Sequence, residues 1–159
     1  MGPAGPRGPR GHASSNLPSG FAELAAPFPI LGDPVAPVPA VVLSATVDSP
    51  IARELRVTAH YSACAPGDIA PINMTFRIRL VGVDPMIGAP NGSAETLDGN
   101  TIERTECAAG AIVRRYLNVP AGPRTVQLVV VANDIGATLD PAMGGAALLV
   151  EQFAPSPAP

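Results

Sequence analysis

Glycine occupies positions 2, 5, 8 and 11, and proline follows it at 3, 6 and 9. Residues 2–13 are therefore four Gly-X-Y triplets. Only glycine fits at the crowded axis of three polyproline-II strands, so this period marks a triple helix. A triple helix needs three chains. Gly2, Gly5, Gly8 and Gly11 thus predict a homotrimer with an elongated N-terminal attachment. Four triplets are few, and their stacking offsets little ordering entropy. The competing expectation for residues 1–13 is a disordered tail rich in proline and glycine.

Residues 14–40 read as a linker or clinging arm. Phe21, Leu24, Phe28, Ile30 and Leu31 are set among Pro27, Pro29, Pro34, Pro37 and Pro39. Proline at this density forbids a helix and a central strand. An apolar arm of this kind is expected to lie in a groove, on its own domain or on a neighbour's.

From about residue 41 to 153 the pattern is β. In 54–61, Leu55, Val57, Ala59 and Tyr61 alternate with Glu54, Arg56, Thr58 and His60. In 75–81, Phe76, Ile78 and Leu80 alternate with polar residues. A period of two signals a sheet with one wet face. Further strands are expected at 41–47, near 95–97, at 100–107, 111–119, 124–132, 135–139 and 146–153. Ala108-Ala109-Gly110 reads as a break between two of them. Residues 124–132 are apolar on both faces, which predicts burial on both. In a trimer the second face would meet a neighbouring subunit, so Val129, Val131 and, on the last strand, Leu149 are the interface candidates. Residues 154–159 read as a disordered tail. The expected fold is all-β: an antiparallel β-sandwich of jelly-roll type behind an extended arm.

Composition narrows the function. The net charge is −3, and nucleic-acid binding by counter-ion release needs a basic stripe instead. No apolar run reaches 18 residues, so no membrane insertion by a helix is expected. Met1 leads straight into the triplets without the pattern of a secretory leader. Either the protein travels by another route or the chain has been trimmed.

Chemistry-bearing residues are sparse. Cys64 and Cys107 are the only cysteines. They are a disulfide candidate across the sandwich, worth roughly 3–4 kcal/mol by loop entropy; the alternative is two buried thiols. His60 is the one histidine of the β domain. Ser62 shares its strand face, but no Gly-x-Ser-x-Gly elbow exposes it. No enzyme activity is expected, and no catalytic residue, metal or cofactor. Asp84, Asn91, Asp98 and Asn100 are oxygen donors in one turn-rich stretch. Calcium takes such donors, yet the same residues are ordinary turn formers. They are kept as surface-loop binding candidates, within exposed loops expected at 62–72, 84–100 and 133–145. Arg53, Arg56, Arg77 and Arg79 could form a basic patch for acidic glycans; a solvated face paired with acids is the plainer expectation. Asn73-Met74-Thr75 and Asn91-Gly92-Ser93 fit the N-glycan acceptor pattern, a signal that also arises by chance.

The order of Gly-X-Y triplets, linker and compact β head resembles collagen-like trimeric fibre proteins with tumour-necrosis-factor-type or complement-type heads. The stretch from Leu117 to Val130, with its turn Pro120-Ala121-Gly122-Pro123, and the closing Leu148-Leu149-Val150-Glu151-Gln152 are most similar to heads of phage and bacterial collagen-like fibres. The scarcity of aromatics departs from complement-type heads. The resemblance implies a homotrimeric fibre, spike or attachment protein on a virion surface, at the tail or capsid. Its partners would be other virion or surface proteins and a host-surface glycan or protein. The alternatives are a capsid decoration or cement protein, and a bacterial cell-surface or spore-coat protein working outside the cell.

Overall fold

The computed structural model describes residues 19–31, 39–64, 72–85, 100–104, 107–132 and 137–155. The strands are β1 (Gly20–Glu23), β2 (Phe28–Ile30), β3 (Ala40–Val47), β4 (Arg53–Cys64), β5 (Ile72–Leu80), β6 (Asn100–Arg104), β7 (Cys107–Val119), β8 (Arg124–Ala132), β9 (Ala137–Leu139) and β10 (Ala146–Phe153). A single 3-10 turn, Pro141–Met143, separates β9 from β10.

The strands form two sheets, and every pairing among the described residues is antiparallel. β10 and β9 lie end to end along the same side of β4, with β10 facing Glu54–Tyr61 and β9 facing Ala63 and Cys64. β1 and β2 lie end to end beyond them. The first sheet is therefore four lanes wide: β1/β2, β10/β9, β4 and β7. The second runs β3, β8, β5, β6. In chain order the first lane pairs with the last, β3 with β8, β4 with β7, and β5 with β6. This nesting is one long hairpin rolled onto itself, the strand order of a jelly roll.

The alternation in the sequence dictates the core. Leu55, Val57, Ala59 and Tyr61 of β4 and Leu148 and Val150 of β10 point inward. They meet Phe76, Ile78 and Leu80 of β5 and Val126, Leu128 and Val130 of β8. The Tyr61 and Phe76 rings stack across the two layers at 3.9 Å between centroids.

Three details depart from the sequence expectation. The arm is part of the sandwich: β1 and β2 build its outer lane, and Ile30 is buried in the core. An edge lane tolerates Pro29. Next, no turn interrupts 108–110, since β7 is continuous from Cys107 to Val119. Gly110 sits opposite Tyr61, and a Cβ there would lie 2.6 Å from the Tyr61 hydroxyl oxygen. The glycine makes room for a ring and does not mark a turn. Finally, Cys107, expected to end the strand from 100, opens β7 instead. The strand expected near 95–97 lies outside the described residues.

The sandwich has two unlike ends. At one lie Phe153 and the turns joining β3 to β4 and β7 to β8, with Gly20 three residues in from it, opposite Val150. At the other lie Ile30, Cys64, Cys107, Ala132 and Ala137. The twelve residues of β4 set the separation at about 40 Å, at roughly 3.4 Å per residue.

Candidate functional site

The cysteines close the far end. Cys64 is the last residue of β4 and Cys107 the first of β7, directly opposite each other in the register. Their sulfurs are bonded. The link joins neighbouring strands of one sheet and does not cross the sandwich. Met143 Sδ lies 3.7 Å from Cys64 Sγ, so the 3-10 turn packs against the same corner.

Asp84 is engaged inside the molecule. Its Oδ2 accepts from the Leu80 amide at 2.7 Å and from the Tyr116 hydroxyl at 2.6 Å. Its Oδ1 accepts from Arg114 Nη2 at 2.9 Å. Arg114 also donates to the Ile78 carbonyl and lies over the Tyr116 ring at 4.7 Å. Arg114 and Tyr116 sit on β7, while Asp84 and Ile78 belong to β5 and its following turn. The network therefore ties the two sheets along one side. Burial, with the bond to Asp84 second, pushes the Tyr116 hydroxyl well above the usual tyrosine range. This geometry makes Asp84 a structural acceptor. Asn91 and Asp98 lie outside the described residues. Asn100 is placed as the first residue of β6.

Arg53 is a second fixed charge. It is 0% exposed, so it belongs neither to a surface patch with Arg56 nor to the solvated face expected in its place. Nη2 donates to the Gly122 carbonyl at 2.7 Å and Nη1 to Pro120 at 3.4 Å. Further donations reach the carbonyls of Val47, Ser49 and Ile51. The two near-end turns are thus held by one guanidinium. Its removal from water lowers its pKa from the ordinary arginine value, with Asp48 opposing. Arg77 and Arg79 lie on β5 in the opposite sheet, so the four arginines form no common patch. Arg79 bonds Gln127 Oε1 at 3.0 Å, Arg56 pairs with Glu151 at 3.8 Å, and Arg115 Nε donates to Glu54 at 3.1 Å.

The interface candidates separate. Val129 and Val131 lie on β8 of the second sheet, and Leu149 on β10 of the first. Their outer faces point away from each other. Val129 is 0% exposed within the single chain, so burial on both faces needs no neighbouring subunit. Val131 and Leu149 are half-buried. The first sheet instead carries an apolar row across its outer face. Phe21, Leu149, Thr58 and Val113 are consecutive register partners on β1, β10, β4 and β7. Phe21 is 63% exposed and Val113 54%. The sequence hides this row, because its members come from four strands that become neighbours only in the fold.

Gly2, Gly5, Gly8 and Gly11 lie outside the described residues. So do 65–71, 86–99 and 133–136 of the expected loops. Among the described residues no group of three or more His, Cys, Asp or Glu side chains is placed to hold a metal, and no helix is long and apolar enough to cross a membrane.

No protein-family model matches this chain, and no curated protein does. Among solved structures it is similar to one of the infectious bursal disease virus Gx strain, at 12% identity over 97% of this chain and 42% of that chain, with a TM-score of 0.47. It is also similar to the infectious bursal disease virus VP2 subviral particle, at 14% identity, 97% and 42% coverage and a TM-score of 0.44. The chain thus spans less than half the length of these neighbours. The jelly-roll assignment rests on the strand order given above.

Proposed function

We propose that this chain is a non-enzymatic structural protein of a virion: a homotrimeric fibre or spike component that assembles with other virion proteins at the tail or capsid surface. The observation that carries this reading is the polarity of the sandwich. The triplets at 2–13 precede Gly20, which lies in the half of the first sheet toward the near end, and the chain leaves at that end after Phe153. Cys64 and Ala132, which lead into 65–71 and 133–136, stand at the far end. A stalk at one end and presented segments about 40 Å away suit attachment at the base and contact with a host-surface glycan or protein at the tip. The cement alternative, in which residues 14–40 clamp a neighbouring subunit, draws no support from β1 and β2, which pair within their own chain.

Light scattering and negative-stain imaging of the full chain test the reading. Three heads joined at one end, with a mass near three times 16.1 kDa, are expected. A monomer at micromolar concentration sinks it.

A further inference from the structure

Resting on the trimer reading, we infer that copies of this chain pack against one another through the outer face of the first sheet, with the β1 edge turned toward the threefold axis. Three triplet segments must run together, and each ends at Ala13, eight residues before Phe21. Eight residues reach at most about 28 Å, at roughly 3.5 Å each. Phe21 lies level with Thr58, midway along β4, so a tether this short holds the three copies with the faces beside β1 within reach of one another.

Two faces compete there, and their chemistry separates them. The outer face of the second sheet exposes less apolar surface, with Val41 at 38% beside Val129, and its polar side chains pair with one another. Thr46 bonds Thr125 at 3.0 Å, and Arg79 bonds Gln127 at 3.0 Å. Val129 is covered within the chain. The first sheet leaves Phe21, Val113 and Leu117 exposed at 63%, 54% and 58%. Glu151 and Arg56, directly paired in the register, border the apolar row on its near-end side. An apolar centre with a charged rim is the anatomy of a protein interface. The occupant is a second copy, because the tether delivers identical chains beside Phe21. A closed three-membered ring of one repeated contact follows from the symmetry.

The test compares three full-length chains by light scattering over a dilution series: the native chain, a Phe21→Glu/Val113→Glu double variant, and Val131→Glu on the opposite face. All substitutions fall on exposed or half-buried outward positions, and circular dichroism melts verify folding. The inference expects a native trimer, at least a tenfold weaker association for the double variant, and no change for Val131→Glu. A double variant that stays trimeric at every dilution overturns the assignment of the face while leaving the trimer intact. Dissociation by Val131→Glu alone moves the interface to the second sheet and overturns it equally. A monomeric native chain removes the trimer reading itself, and this inference with it. Slower amide exchange in β1 and β7 at high concentration than at high dilution is the positive sign that a side-chain effect alone would not give.

Discussion

The Nη2 of Arg53 lies 2.7 Å from the carbonyl oxygen of Gly122, and that bond ties the turn after β3 to the turn after β7. The Gly122 amide donates in return to Ser49 at 2.8 Å. A buried guanidinium is stable here because backbone oxygens replace the water it has lost.

Replacing Arg53 by Met strips those carbonyls of their donor. Buried acceptors without partners are costly, and the expected loss is about 2–4 kcal/mol. For a domain of this size that lowers the melting temperature by roughly 5–15 °C. Lysine should rescue little, since one ammonium cannot span both turns. An Arg53→Met melt within 1 °C of the native chain would refute the account.

Tyr116 makes stability sensitive to alkali. Its pKa is raised in the fold, so the native state holds the proton that the unfolded chain releases near pH 10. Its contribution is present in full below about pH 10 and declines above it, by at most about 1.4 kcal/mol per pH unit. Denaturant titrations between pH 8 and 11.5 should show the decline in the native chain and a flatter profile in Tyr116→Phe. The variant should also lose about 1 kcal/mol at neutral pH with its bond to Asp84.

Reducing Cys64–Cys107, or replacing both by Ser, removes a crosslink between residues 43 positions apart. Loop entropy sets the expected loss at about 3–4 kcal/mol. Native protein should show no free thiol to a thiol reagent before unfolding, and its melting temperature should fall on reduction.

Gly110→Ala places a methyl group against the Tyr61 ring, where the built Cβ lies 2.6 Å from the hydroxyl oxygen and 2.8 Å from Cζ. Tyr61 is stacked on Phe76 and buried, so relief requires shifting a core pair. The expected cost is about 1–3 kcal/mol, read by chemical denaturation. A neutral result would show that the ring moves freely.

Local pattern in the sequence determined the class of fold and the inward faces. Residues 54–61, 75–81, 124–132 and 146–153 each carry a period-two or wholly apolar signal, and the strands and buried positions follow it. That works because side-chain alternation is a property of one strand alone. Tertiary structure decided the rest. Gly110 looks like a turn until the Tyr61 ring appears over it. Arg53 looks solvated until two turns far apart in sequence close around it. Val129 looks like an interface residue until its own chain covers it. The row from Phe21 to Val113 exists only once four lanes lie side by side. Each depends on which strands become neighbours, and no single strand's pattern encodes that.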